Sequence, residues 1–267
     1  HEESTLNVCP NCGGNKIWYL GMGTQKVEGQ AQKLFPEASV CRLDSDAAKG
    51  EGGLQRLIAG IKRGDYQIVV STQIGLPYLR EHDFRLSAVI WADALLNMPD
   101  FRAAEKGFRI IWQLAGKDHA RMGERQVIVQ SFNPGHYSLC RARDLDYPGF
   151  VSDELRQREE LGYPPFVSMI SIRVEGGPGS GADSLASSIV ASARARVPAE
   201  GTLSVMGPTM IHLARARSRV RWQILLKGSE EVAVRELAQW VLEKYAHRER
   251  SKEKVQVSVD VDPVSFF

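Results

Sequence analysis

The sequence predicts an α/β protein whose first part has a parallel sheet and whose last part is a small α+β domain. In the first part, short β-branched runs alternate with longer helical patterns, and most of these runs contain consecutive apolar residues. Such strands, separated by helices, are typical of a parallel sheet that is covered on both faces. In the last part, the strands instead alternate apolar and polar residues, which is typical of a sheet with one buried face.

The elements of the first part follow from hydrophobic period and from the residues that interrupt it. The predicted strands are Ile17–Leu20, Ser39–Leu43, Gln67–Ser71, Ser87–Trp91 and Val127–Phe132. The predicted helices are Val27–Phe35, Leu54–Lys62 and Phe101–Leu114, the first of which is stopped by Pro36. Residues 16–135 are therefore predicted to form one α/β domain.

A charged, helical segment over residues 136–166 separates the two parts. It ends in Tyr163-Pro164-Pro165-Phe166, where two prolines must stop any helix. In residues 167–267 the predicted strands are Val167–Val174, Leu203–Met206, Val220–Lys227 and Val255–Val261, and the predicted helices are Leu185–Val197 and Glu230–Tyr245. This pattern predicts a four-stranded sheet packed against two helices.

Composition excludes several classes of protein. The 267 residues carry 34 basic and 32 acidic side chains, so a net charge of +2 indicates nothing about nucleic acid. No apolar run has the ~18–20 residues of a membrane span, and no secretory segment opens the chain. Four scattered cysteines do not resemble a disulfide scaffold, which favours a reducing cytoplasm. Because the chain begins at His1 rather than Met, we interpret it as a processed, tagged or excised piece.

Cys9 and Cys12 form a C-x-x-C pair that is typical of half a zinc site. Structural zinc takes four ligands, and Cys41 and Cys140 lie far along the sequence. We interpret the pair as half of a site whose other cysteines lie elsewhere, and a metal-free turn with two thiols as its state in this chain.

Arginines occupy every second position at Arg215, Arg217, Arg219 and Arg221. If this segment is extended, all of them point to one side, and Val220, Trp222, Ile224 and Leu226 point to the other. Such a basic stripe suits phosphates or a carboxylate-rich partner, because the guanidinium group binds oxyanions in a bidentate way. The alternative is a solvated strand face, partly balanced by Glu230, Glu231 and Asp260.

Motifs for nucleotide binding are absent from the sequence. There is no G-x-x-x-x-G-K-[ST] loop and no D-E-x-H box, so the chain alone should not hold a triphosphate well. Gly21-Met22-Gly23-Thr24 is interpreted as a turn and helix start with Thr24 as the N-cap. Asp44 and Asp46 have the spacing of metal ligands, but capping a turn is the commoner use of such a pair.

Several segments together resemble the PriA family of replication-restart helicases. In the first part they are Leu20–Glu28, Leu34–Pro36, Arg42–Asp46, Val70–Gln73, Ala92–Ala94 and Pro99–Glu105. In the last part they are Tyr163–Phe166, Gly207–Pro208, Arg219–Leu226 and Val259–Pro263. Each segment alone is a weak signal, whereas their order along nearly the whole chain is specific.

The resemblance implies a RecA-like second lobe of a superfamily 2 DNA helicase, followed by that family's C-terminal domain. It implies ATP and magnesium as ligands, forked or single-stranded DNA as substrate, and primosome proteins and the acidic tail of single-strand-binding protein as partners. Residues 1–15 would be the remnant of a zinc-binding insertion, and Cys9 and Cys12 its last cysteine pair. Arg219 and Gln223 would contact the acidic tail, and Thr72 and Gln73 would belong to a motif of the motor lobe.

Two segments depart from the family pattern. The segment Ile74–His82 is longer than its counterpart and contains Pro77-Tyr78. After Gln113, the family's paired arginines are replaced in a run that holds Lys117 and Arg121. Lysine does not supply the fork of an arginine finger, whose loss costs on the order of 10³–10⁵ in rate. Arg121 restores the role only if the loop shifts by one residue.

We therefore expect the C-terminal part of an ATP-dependent 3′–5′ helicase that acts in primosome assembly at stalled forks. Because the lobe with the nucleotide-binding loop is missing, we expect this chain to be inactive alone. The alternative is a non-catalytic adaptor whose degenerate motor lobe only supports binding of DNA or protein partners.

Overall fold

The computed structural model describes residues 23–49, 52–79, 82, 84–115, 126–198, 203–211, 219–245 and 255–264. These residues form two compact units: the first holds residues up to Leu86 together with Gln126, and the second holds Ser87–Ala115 and the residues from Val127 onwards. No helix among them is both long enough and apolar enough to cross a membrane.

The first unit is a parallel pair of strands with helices around it. Its elements are α1 (Thr24–Leu34), β1 (Val40–Leu43), α2 (Gly53–Arg63), β2 (Ile68–Ser71) and the short α3 (Leu76–Leu79). β1 and β2 run parallel, from Val40 opposite Ile68 to Leu43 opposite Ser71, and α2 is the crossover between them. Cys41, Leu43 and Ile61 form the buried core of this unit.

A two-stranded sheet and the helices that pack on it belong to the second unit, apart from the first residue of each strand. β3 (Leu86–Val89) pairs with β4 (Gln126–Val129), and α4 (Asp93–Leu96) and α5 (Ala103–Ala115) lie between them in sequence. α6 (Tyr137–Arg143) and α7 (Tyr147–Glu160) follow. Phe108 of α5, Leu139 and Ala142 of α6, and Phe150 of α7 share one buried cluster.

Both ends of α7 are fixed by local chemistry. The carboxylate of Asp146 accepts a hydrogen bond from the Gly149 N–H (2.9 Å), and Pro148 lies in the first turn, where its missing N–H costs nothing. The helix ends at Glu160, and Gly162 follows with a φ of 57°, a value that favours glycine. The two prolines at 164 and 165 then lead the chain into the last sheet.

The rest of the second unit is a four-stranded antiparallel sheet with two helices on one face. The strands are β5 (Ser168–Gly176), β6 (Ser204–Ile211), β7 (Val220–Gly228) and β8 (Gln256–Val261), in the order β6-β7-β5-β8. α8 (Ala182–Arg194) and α9 (Glu231–Tyr245) cover the apolar face. Ile172, Ile224 and Leu226 lie at the centre of this core, each 0% exposed.

The sequence predicted most of these elements. The predicted strand Ile17–Leu20 lies outside the described residues. The mixed α/β class is confirmed, and so is the sheet of four strands with two helices. Of the larger parallel sheet, the described residues show the β1–β2 pair, with β3 and β4 in a separate small sheet. The RecA-like arrangement and the boundaries at residues 15, 135 and 166 therefore stay predictions.

One capping prediction was wrong. Gly23, not Thr24, is the N-cap of α1, and Thr24 is its first helical residue. The Thr24 hydroxyl donates a hydrogen bond to the Asp44 carboxylate instead, because the two side chains meet where α1 passes the end of β1.

We expect Leu226→Ala to lower the free energy of unfolding by about 2–5 kcal/mol, because the lost methyl groups leave a cavity between the sheet and its helices. A urea titration followed by far-UV circular dichroism measures this loss. The control is Val232→Ala on α9, where the side chain is 67% exposed and the change should stay within about 0.5 kcal/mol. Equal losses in the two variants would contradict the placement of Leu226.

We expect the chain to lose stability as the pH falls below about 6.5, through His136 at the start of α6. Its Nδ1 accepts a hydrogen bond from the Ser138 N–H and lies 2.9 Å from the Ser138 hydroxyl. Burial lowers the pKa of His136, and the Glu154 carboxylate offsets part of that effect. The unfolded chain therefore binds the proton more readily, so stability is present at neutral pH and is lost towards the lowered native pKa.

The measurement is the free energy of unfolding at pH 7.5 and pH 5.5 in the wild type and in His136→Asn. Asparagine keeps a capping oxygen but does not titrate, so the variant should lose less stability between the two pH values. The pKa values of Asp44 and Asp93 are lowered, so these carboxyl groups affect stability only below about pH 4. They do not contribute to a difference between pH 7.5 and pH 5.5. An unchanged loss in the variant would show that another group titrates.

Candidate partner-binding face of the C-terminal sheet

The polar face of the C-terminal sheet is the side opposite α8 and α9. In β5 and β7 the even-numbered side chains enter the core, and the odd-numbered ones point to the other side, as strand geometry requires. The charged and polar side chains of this face include Arg173, Glu175, Arg221, Gln223, Lys227 and Asp260, and the buried Met169 and Ser171 lie on the same side. The alternation of the basic stripe, predicted from the sequence, is therefore confirmed for Arg221, and Trp222 packs against the core.

Arg221 is held in an ion pair within the sheet. It lies directly opposite Glu175 on β5, and its Nε atom is 2.5 Å from the Glu175 carboxylate. The two side chains are only 20% and 18% exposed, so the charge of Arg221 is largely balanced at this position. A second pair joins Arg173 to Asp260 of β8 at 2.7 Å.

Gln223 is also committed within the sheet. Its residue is 7% exposed, and its Nε2 atom donates a hydrogen bond to the Ser171 hydroxyl at 3.0 Å. The predicted contact of Gln223 with an acidic peptide stays a prediction. No hydrogen bond to the side-chain carbonyl oxygen of Gln223 is seen among the described residues.

Arg219 is placed differently from the other members of the stripe. It lies just before β7, it is exposed, and no ion pair is seen for it among the described residues. Arg215 and Arg217 lie outside the described residues. Of the stripe residues that the structure describes, Arg219 is thus the cation that solvent reaches most freely.

Lys227 links the far end of β7 to the end of α7. Its Nζ atom donates a hydrogen bond to the Leu161 carbonyl oxygen at 2.7 Å and lies 4.7 Å from the centre of the Tyr163 ring. Burial lowers the pKa of Lys227 from its ordinary value. Lys227 therefore has a structural role on the polar face.

The residues predicted from the resemblance to a motor lobe fall in both units. In the first unit Thr72 follows β2, and Gln73 begins a turn of 3-10 helix, with both residues exposed. Gln113 lies near the end of α5 in the second unit and is half-buried. Lys117 and Arg121 lie outside the described residues. The predicted catalytic roles stay predictions.

Asp44 caps a turn, as its commoner use predicts. One carboxylate oxygen accepts hydrogen bonds from the N–H groups of Asp46 (2.9 Å) and Ala47 (2.7 Å). Burial opposes ionisation of this carboxyl, but those hydrogen bonds and the one from Thr24 outweigh it, so the pKa is lowered. Arg42 adds a nearby positive charge at 3.4 Å.

The described residues do not fit a metal. They contain no group of three or more histidine, cysteine, aspartate or glutamate side chains that could hold an ion. Cys41 is buried in β1, where burial raises the pKa of its thiol, and Cys140 lies near the Pro134 carbonyl oxygen. Cys9 and Cys12 lie outside the described residues, so zinc at that pair stays a prediction.

Comparisons with known proteins agree with the resemblance found in the sequence. Residues 159–264 match the family model of the primosomal protein N C-terminal domain. The chain is 32% identical to the replication restart protein PriA of Bacillus subtilis (strain 168) over 263 residues, which are 98% of this chain and 32% of that protein. The chain belongs to this family, as the sequence predicted.

Two further proteins of the same name extend the similarity over the whole chain. The replication restart protein PriA of Synechocystis sp. is 32% identical over 99% of this chain and 31% of that protein. The protein of that name from Treponema pallidum (strain Nichols) is 32% identical over 99% of this chain and 39% of its own length. The chain thus spans about a third of the length of the curated relatives it matches.

Sequence reasoning missed Glu175, the residue that neutralises Arg221 on the polar face. It named Glu230, Glu231 and Asp260 as the balancing carboxylates, but Glu231 pairs with Arg235 on α9, and Asp260 pairs with Arg173. Glu175 is the partner of Arg221, although 46 residues separate them. Because side chains alternate along β5, Glu175 lies on the polar side. The strand order was then the one further observation needed to pair Glu175 with Arg221.

We expect Arg221→Ala to lower the free energy of unfolding by about 1–3 kcal/mol, because it leaves the half-buried Glu175 carboxylate without its partner. The matched control is Arg235→Ala, which breaks an ion pair whose side chains are 52% and 60% exposed, and which should cost about 0.5 kcal/mol or less. Chemical denaturation measures both. A loss no larger than that of the control would contradict a structural role for the Arg221–Glu175 pair.

Proposed function

We propose that this chain is the C-terminal region of a replication restart protein and binds partners through the polar face. The observation that carries this proposal is its similarity to proteins named replication restart protein PriA over nearly its whole length. In this proposal residues 16–135 form the RecA-like second lobe of an ATP-dependent 3′–5′ DNA helicase. The parallel β1–β2 pair, with its helical crossover, supports that assignment.

The ligands of the whole protein belong to the same proposal. ATP and magnesium would need the other motor lobe, because this chain has no phosphate-binding loop of the Walker type. Zinc would be held by Cys9 and Cys12 with two further ligands from elsewhere. The chain alone would then be inactive as a helicase, and the whole protein would act in the cytoplasm.

Arg219 is the proposed contact for an oxyanion partner, either a DNA phosphate or a carboxylate in the acidic tail of single-strand-binding protein. Its exposure supports this role, as does the fact that no ion pair is seen for it within the described part of the chain. A guanidinium group that already holds a carboxylate, as Arg221 does, gains less from a second oxyanion. The proposal therefore assigns the first contact to Arg219 and a supporting role to Arg221.

The test is fluorescence-anisotropy binding of the chain to a labelled forked DNA and, separately, to an acidic tail peptide, across a salt series. Binding should weaken steeply as salt increases, and Arg219→Ala should weaken it further. For DNA, the variant should also reduce the slope of log affinity against log salt by about 1. The control is Arg235→Ala, because Arg235 lies on α9, which packs on the apolar face.

Either probe alone supports the proposal if Arg219→Ala weakens its binding and Arg235→Ala does not. Equal binding by both variants and the wild type would remove Arg219 from the interface. Failure to bind both probes at low salt would show that the polar face of this chain is not a binding surface.

A second candidate function is a non-catalytic adaptor that recognises DNA or protein partners without hydrolysing ATP. Two sequence features favour it: the departure from the family pattern near Pro77, and Lys117, which stands where the resemblance expects an arginine finger. DNA-stimulated ATP hydrolysis by the whole protein separates the two functions. Ordinary stimulation would contradict the adaptor, and its absence would contradict the helicase.

A further inference from the structure

The second unit contains two large apolar cores that share no residue. One lies among α5, α6 and α7 around Phe108, and the other lies between the C-terminal sheet and its two helices around Ile172. Residues 161–167 join the two parts, between the end of α7 at Glu160 and the start of β5 at Ser168, and none of these residues is buried. Among the described residues, the sheet is therefore not held against the helices by a shared apolar core.

Two aromatic rings and two cations hold the parts together instead. The rings of Phe101 and Tyr163 stack with their centres 5.3 Å apart and their planes 14° apart. Arg158 of α7 lies 5.2 Å from the centre of the Phe101 ring, and Lys227 of β7 lies 4.7 Å from the centre of the Tyr163 ring. Each ring thus has a cation beside it, and we call these four residues the junction stack.

Lys227 is the member of the junction stack that comes from the sheet. Its Nζ atom donates a hydrogen bond to the Leu161 carbonyl oxygen at 2.7 Å, and this is the hydrogen bond that is seen, within the described part of the chain, between a strand of the sheet and the residues before 167. Its side chain passes Gly162 so closely that a Cβ atom there would lie 3.3 Å from the Lys227 Cε atom.

These contacts are of a kind that opens more easily than an apolar core. Leu161 is 59% exposed, so water competes with Lys227 for its carbonyl group. Parts of a chain that meet through a small polar contact usually move relative to each other, whereas a large apolar contact holds them fixed. The junction stack can therefore open while both cores stay folded.

We propose that the junction stack is a latch on a hinge at residues 161–167. When the stack is closed, it holds the C-terminal sheet in one orientation relative to α5 and α7, and when it is open, the sheet turns about the hinge. Gly162, with a φ of 57°, begins the hinge and is the residue type that best absorbs a backbone change. Opening turns the polar face, with Arg219, relative to α5. The latch depends on these contacts and not on the function proposed above, so each can fail without the other.

The test is the distance between a spin label at position 156 on α7 and one at position 232 on α9, measured by double electron–electron resonance on the full chain. Both positions are accessible, since the Arg156 side chain is 65% exposed and Val232 is 67% exposed. The labels are attached to non-natural ketone residues, so that the four cysteines stay unlabelled. The chain with no further change should give one narrow distribution of distances. Lys227→Met and Tyr163→Ala should each broaden it about twofold or more, because the released sheet takes several orientations.

Lys244→Met is the matched control, because Lys244 makes the same kind of contact with the Trp240 ring, at 4.7 Å, within the C-terminal sheet and its helices. Tyr163→Phe is a second control, since it keeps the ring and removes the hydroxyl group. Both controls should keep the narrow distribution. Unfolding midpoints report whether each variant is folded, and Tyr163→Ala lies outside the sheet, so it tests the latch even where Lys227→Met does not fold.

Three results would overturn the proposal. The first is a distribution in the unchanged chain that is as broad as in the variants, which would mean that nothing holds the sheet. The second is a narrow distribution in a folded Lys227→Met or Tyr163→Ala, which would mean that other contacts set the orientation. The third is equal broadening in either control, which would mean that the effect does not come from the stacked ring and its cation.

Discussion

The second unit depends on the buried guanidinium group of Arg158. Its side chain is 11% exposed, so its charge must be balanced within the protein. It donates to Glu154 one turn earlier on α7, to Glu105 on α5 and to the Pro164 carbonyl oxygen that leads into β5. A lysine could not satisfy these directions at once, because only the planar fork of arginine points to all of them. One side chain thus joins two helices to the entry of the last sheet.

This network continues to the strand that carries the basic stripe. Arg158 lies 5.2 Å from the centre of the Phe101 ring, and Phe101 stacks on Tyr163 at 5.3 Å. Lys227 reaches the other side of this stack from β7. β7 is therefore fastened at its carboxyl end to α7, whereas Arg219 at its start has no such contact among the described residues. The stripe that looks uniform in the sequence has one anchored end and one accessible end.

The periodicity of apolar residues predicted the strands and helices, because each element buries one face. The residues of the core follow from this periodicity alone. The alternation of β7 likewise placed Trp222 in the core and Arg221 on the other face. The partner of Arg221 could not be predicted in the same way, since β7 pairs with β5 and β6 rather than with a strand determined by sequence distance. The aromatic cluster that α5 shares with α7 was missed for a related reason. The spacing of Phe108 and Trp112 indicates a helix face, but only the position of α7 shows that this face meets Tyr147 and Phe150.

The cross-strand ion pairs therefore hold the strands in register, whereas the number of arginines in the sequence alone indicates a binding surface. Arg221 with Glu175 and Arg173 with Asp260 fix the register of β7, β5 and β8, because a shift of one residue would bring each charge to the apolar side. Charges used in this way contribute little field outside the protein, since each is neutralised within about 3 Å. In the function proposed above, recognition of an anion on this face rests on few positions. It should be sensitive to loss of Arg219 and should tolerate substitutions on α9, which packs against the opposite side of the sheet.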